Sequence, residues 1–128
     1  MQNRWTDHYL WTSDNVRLHY RDFAGGREGQ PALLCLPGLT RNARDFQALA
    51  ERFAPRFRVV TPSFRGRGDS GYARDPLSYV PLTYLQDLGR LLDEAQLSSL
   101  IIIGTSLGGL MGLLLDGTQR SRIAGLVL

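Results

Sequence analysis

Apolar and polar positions change period several times along the chain. Between His8 and Phe23 they alternate: Val16, Leu18 and Tyr20 stand between Arg17, His19 and Arg21. A period of two predicts strands with one covered face. Asp14-Asn15, between "HYLWTS" and "VRLHYRDF", supplies turn residues. The two segments read as a half-exposed antiparallel hairpin at a sheet edge. "ALLCLPG" (Ala32 to Gly38) is continuously apolar, as in a strand buried on both faces. Phe46, Leu49, Ala50 and Phe53 then recur at helical spacing, with Asn42 placed to cap that helix and Pro55 to stop it. "FRVVTPS" (Phe57 to Ser63) predicts a further short strand.

A loop is expected from Phe64 to about Leu82, with Pro76 and Pro81 inside it. "TYLQ" (Thr83 to Gln86) matches a capping box and opens a helix with Leu85, Leu88, Leu92 and Ala95 on one face. "LIII" (Leu100 to Ile103) reads as a buried strand. The helix from Ser106 is apolar nearly all round and is expected to be buried. "IAGLVL" (Ile123 to Leu128) is one more strand. Strands interleaved with helices predict an α/β fold: a mostly parallel sheet with an antiparallel edge hairpin and crossover helices, in one domain over residues 1–128. Ligands in such sheets bind at the carboxyl ends of the strands. Two loops reach that edge, Pro37 to Asn42 and Gly104 to Gly108.

Charge narrows the partners. The net charge is +3, every basic residue is arginine, and the arginines are scattered among acids. That is a solvated surface rather than the clustered stripe that binds nucleic acid. Cys35 stands alone in "ALLCL", which leaves no internal disulfide and no cysteine metal site. The N-terminus lacks a signal-peptide pattern. No apolar run reaches the ~18 residues of a membrane span. A soluble cytoplasmic protein with no membrane contact, metal or cofactor is expected.

The candidate chemistry centres on Gly104-Thr105-Ser106-Leu107-Gly108, a G-x-S-x-G pattern between a strand and a helix. A sharp turn there exposes the serine at a helix N-terminus, where N–H groups favour developing negative charge. Gly104 and Gly108 let strand and helix pass closely, with Gly109 adding room. An oxyanion hole needs two backbone donors. Leu107 N–H follows the nucleophile; Pro37 has no N–H and Gly38 permits a turn, so Leu39 N–H is the second candidate. Gly38 and Thr105, beside these donors, are the substrate-contact candidates. Gly66 to Gly71 spells G-x-G-x-x-G, but no helical stripe follows, so it reads as a loop braced by Arg65 or Asp69 rather than a dinucleotide site. His8 and His19 precede the serine and do not fit the serine–acid–histidine order. Asp116 sits roughly 15 Å along the helix from Ser106 and is not the triad acid.

The segments "LCLPGLTRNARDF", "PSFRGRGDSG" and "GTSLGG", in this order and spacing, resemble the α/β-hydrolase superfamily over its N-terminal half. The resemblance implies that Ser106 is the nucleophile, that Leu39 and Leu107 line the oxyanion hole, and that the chain supplies the first six strands of the sheet. It also implies that the acid, the histidine and the substrate cap lie beyond Leu128. Pro37-Gly38 stands where the family commonly has His-Gly, and Ser63 where it often has aspartate. A serine, unlike the aspartate of dehalogenases and epoxide hydrolases of this fold, implies acyl transfer. The expected activity is a carboxylic-ester hydrolase acting on a small-molecule acyl substrate, a lactone or thioester being related options. A missing segment or a second chain would supply acid and histidine. The alternatives are a chain inactive by itself and a non-catalytic hydrolase-like binding module.

Overall fold

The computed structural model describes residues 5–38 and 43–128. Its strands are β1 (Thr6–Trp11), β2 (Arg17–Phe23), β3 (Ala32–Leu36), β4 (Val59–Pro62), β5 (Leu100–Gly104) and β6 (Ile123–Val127). They form one sheet in the order β1-β2-β4-β3-β5-β6. β2 pairs antiparallel with β1 and β4, whereas β4, β3, β5 and β6 run parallel. The expected α/β architecture and its edge hairpin are both present.

Burial explains the order. Every residue of "ALLCL" is buried, and β3 sits between two strands with both faces covered. Its side chains alternate. Leu33 and Cys35 pack with Phe23, Phe46, Ala50 and Val59 beneath helix α1 (Gln47–Phe53). Leu34 and Leu36 pack on the other face with Leu88, Leu92, Met111 and Leu115 of helices α2 (Pro81–Glu94) and α3 (Leu107–Thr118). No helix among the described residues is long and apolar enough to cross a membrane.

Four local expectations change. β2 is not half-exposed at an edge: β4 covers its other side, and both His19 and Tyr20 are buried. Residues 64–82 are not one loop. Asp75 caps a 3-10 turn at Pro76–Ser78, and α2 starts at Pro81, not at Thr83. Pro81, with its fixed φ and no N–H, suits the first helical position, so Thr83 falls within the first turn. Finally, α3 is not buried all round; Leu110 and Leu113 are exposed because only one side of the helix meets the sheet. Asn42, read as a cap, lies outside the described residues. A 3-10 turn over Ala43–Phe46 leads into α1.

The loop after β4 is held by Arg65, which is 1% exposed. Its Nε and Nη2 donate to both Asp87 oxygens at 2.8 Å. Nη1 donates to Asp14 at 2.7 Å and to Ser78 at 3.1 Å. One guanidinium thus joins the hairpin turn, the loop and α2. Ser70 adds a second brace, accepting His19 N–H and donating to the Ser63 carbonyl. Asp69, the alternative brace, is exposed. Arg65→Met leaves Asp87 buried without its cation and is expected to cost about 3–5 kcal/mol in thermal or urea unfolding.

The same clamp makes stability pH-dependent. Arg65 and Thr12, both hydrogen-bonded to Asp14, hold its carboxyl well below the usual carboxylate range. A depressed carboxylate stabilises the fold above its unfolded pKa of about 3.9, and that stability is lost as pH falls further. Asp87 moves the other way, raised first by burial. The Asp14 contribution is therefore isolated by comparing wild type with Asp14→Asn. Their difference in Tm should be full at neutral pH and shrink steadily below about pH 4. A constant difference across that range would show that Asp14 is not ionised in the clamp.

Candidate active site

The site is built where two neighbouring strands end. β3 and β5 run parallel with Leu36 opposite Gly104, so the chain leaves both strands at one level of the sheet's C-terminal edge. Pro37-Gly38 therefore emerges beside Thr105-Ser106. Thr105 N–H donates to the Leu36 carbonyl at 3.2 Å and ties the two exits together.

Only Thr105 and Ser106 separate the end of β5 from the start of α3. A reversal that short forces an unusual backbone: Ser106 has φ 54° and ψ −117°. A side-chain-bearing residue in such a conformation costs about 1–3 kcal/mol and persists only when its surroundings impose it. The surroundings are the flanking glycines. A Cβ at Gly104 would lie 2.5 Å from the Gly108 carbonyl oxygen, and a Cβ at Gly108 would lie 2.0 Å from that of Leu36. The first turn of α3 thus crosses directly over the end of β3. Gly109 does not add needed room, because a Cβ there would meet the Gly104 carbonyl at an ordinary 3.7 Å.

Thr105 and Ser106 are exposed. Gly108 N–H is taken by Thr105 C=O at 2.9 Å, and Leu110 N–H by Ser106 C=O at 3.1 Å. Leu107 opens α3, so its N–H is one of the first-turn donors without an intrahelical acceptor. Gly38 is buried. Leu39 lies outside the described residues. On their far side, the Ala43 N–H donates to Ser63 Oγ at 2.9 Å, a buried contact the sequence pattern did not announce.

A family model for the alpha/beta hydrolase fold matches residues 31–128, the stretch that holds this elbow and the strands around it. The chain belongs to the alpha/beta hydrolase fold family. It is 38% identical over 112 residues to the 3-hydroxybutyrate-oligomer hydrolase of Cupriavidus necator, covering 88% of this chain and 38% of that protein. Over 87 residues it is 36% identical to the mouse sn-1-specific diacylglycerol lipase, covering 66% of this chain and 27% of the lipase. An alpha/beta hydrolase structure from Novosphingobium aromaticivorans superposes with a TM-score of 0.92 at 49% identity, covering 98% of this chain and 44% of that one. The chain thus spans less than half the length of each of these relatives.

Within this hydrolase-fold chain, neither histidine meets Ser106. β2 stands three strands from β5 in the sheet, or roughly 14 Å at ordinary strand spacing, and β1 is one strand further. His19 Nε2 instead bonds Asp7 at 2.7 Å, and His8 stacks on Tyr20 and bonds Thr6 Oγ1. Burial pushes the Cys35 thiol up to about 12, so it is no rival nucleophile. Asp116 belongs to the C-terminal part of α3, away from the elbow. Among the described residues, no group of three or more His, Cys, Asp or Glu side chains is placed to hold a metal ion.

Proposed function

We propose that this chain carries the nucleophile half of a serine hydrolase that acts by acyl transfer on a carboxylic ester or a related lactone or thioester. The observation that carries this reading is the Ser106 backbone, held at φ 54° on an exposed turn that two glycines enforce. Strain of this kind concentrates where a side chain must be presented to a reactant. The names of the Cupriavidus hydrolase and the mouse lipase favour the same class of chemistry.

Ser106 Oγ attacks the acyl carbon while a base removes its proton. The carbonyl oxygen gains charge against Leu107 N–H and Leu39 N–H. The alcohol then leaves with that proton, and water hydrolyses the acyl-serine in the reverse sequence. Gly38 and Thr105 flank the acyl group. The base is a histidine oriented by a carboxylate, both from outside this sequence, because His8 and His19 are spent in the hairpin. The partner is a small-molecule acyl substrate, and the steps use no metal or cofactor.

The test is covalent. A fluorophosphonate, supplied to the chain together with the segment or second chain that provides the base, should add its mass to the peptide containing Ser106. Equal labelling of Ser106→Ala would refute the reading.

A further inference from the structure

We infer that the sheet face beneath α1 holds a buried water molecule, bound between His19, Arg21 and Thr61. The inference does not depend on the role of Ser106.

The register places the three residues together. Arg21 on β2 stands opposite Thr61 on β4, and Phe23 stands opposite Val59. Side chains two apart on a strand share a face. His19, Arg21 and Phe23 therefore line one face of β2. Val59, Thr61 and, just past the end of the strand, Ser63 line the adjoining face of β4; Ser63 N–H donates to the His19 carbonyl at 3.1 Å. Phe23 and Val59 belong to the apolar cluster with Phe46 and Ala50. Towards the C-terminal end of β4 the same face turns polar. Two residues bond to it from above. Ala43 N–H donates to Ser63 Oγ at 2.9 Å, and Gln47 Oε1 accepts Arg21 Nη1–H at 2.6 Å.

His19 is 1% exposed and Thr61 0%. His19 Nδ1, Arg21 Nε and Thr61 Oγ1 are buried atoms, and none has a hydrogen-bond partner among the described residues. A fourth such atom, Trp5 Nε1, belongs to the ring over which the Arg21 guanidinium lies at 4.5 Å. Buried polar side chains are nearly always paired in native proteins, and bound water commonly serves those that no protein group reaches. Three orphans on adjoining positions of one sheet face therefore point to one shared partner.

Their chemistry selects that partner. Asp7 accepts a hydrogen bond from His19 Nε2–H at 2.7 Å, so Nδ1 of the neutral ring is an acceptor. Arg21 Nε–H can only donate, and the Thr61 hydroxyl can do either. A molecule that serves all three must donate to one and accept from another. Water donates to His19 Nδ1 and accepts from Arg21 Nε–H and Thr61 Oγ1–H, which makes three bonds, about the usual number for a buried water. A bare anion would face the Nδ1 lone pair, and a metal ion would face the Arg21 charge. The water thus ties β2 to β4 beside the bonds from Ala43 and Gln47.

The test is a high-resolution crystal structure of the chain, paired with NMR in solution. Density for one water is expected at hydrogen-bond distance, about 2.7–3.2 Å, from at least two of the three atoms. In solution, Arg21 Nε–H should show cross-relaxation with a long-lived water, and the ¹⁵N shifts of the His19 ring should report the Nε2–H tautomer. Thr61→Val keeps the shape of the side chain and removes its hydroxyl. It should weaken the water signal and lower Tm by about 4 °C. The wild-type measurements stand by themselves if that variant fails to fold. Three side chains bonded directly to one another with no density between them would overturn the inference. So would a His19 ring protonated at Nδ1, or an anomalous peak at the site in crystals grown with bromide.

Discussion

Ser106→Ala is expected to lower acyl transfer by about 10⁶-fold, measured as single-turnover ester cleavage with the base-supplying segment present. Removing the nucleophile of a serine hydrolase costs on that order, because base and acid have nothing left to activate. The residual rate should stay roughly 10³–10⁴-fold above water, since the Leu107 donor and the bound geometry survive the change. The fold should survive too. The side chain of Ser106 makes no capping hydrogen bond to α3, and the residue is exposed, so loss of its hydroxyl leaves no buried group unpaired. A Tm unchanged within about 2 °C, alongside the rate loss, separates chemistry from unfolding. Ser106→Ala turnover within tenfold of wild type would remove Ser106 from the mechanism.

Gly108→Ala should destabilise the protein by more than about 4 kcal/mol, a loss found only for severe core or backbone conflicts. The added Cβ would sit 2.0 Å from the Leu36 carbonyl oxygen and 2.5 Å from its carbon. Both are backbone atoms of the central strand, which cannot swing aside as a side chain can. Either α3 lifts from β3 or β3 breaks its register with β5. Both outcomes also displace Leu107 and so damage the site. Gly109→Ala is the matched control: one residue along the same helix, its Cβ meets nothing closer than 3.7 Å. It should be neutral, or gain up to about 1 kcal/mol from better helix propensity. Parallel urea titrations of the two variants decide the matter. Equal stability would mean that the close crossing of α3 over β3 is not real.

Much of the fold was legible from local pattern. The continuous apolar run of β3, the helical spacing of α1 and the strand–turn–helix at Ser106 each reflect backbone geometry within a few residues. Burial then had only one way to satisfy them. The misplaced start of α2 shows the limit. A capping-box match at Thr83 competed with Pro81, and the rigid proline won because it needs no N–H partner at the helix start. The exposure of Leu110 and Leu113 was illegible for a different reason: composition shows how apolar a helix is, not which side finds a neighbour.

What the amino-acid order alone settled is the set of pieces and the identity of the exposed serine, since both arise from short-range sterics and period. The assembly around that serine came from contacts distant in sequence. Arg65 finds Asp14 51 residues away, and Ser63 reaches Ala43 across 20. Gly108 must be glycine because of Leu36, on another strand. Such pairings depend on strand order and register, which cooperative burial selects over the whole sheet. The same order leaves both histidines in the hairpin at the opposite edge, bonded to Asp7 and Thr6, with Ser106 beyond their reach.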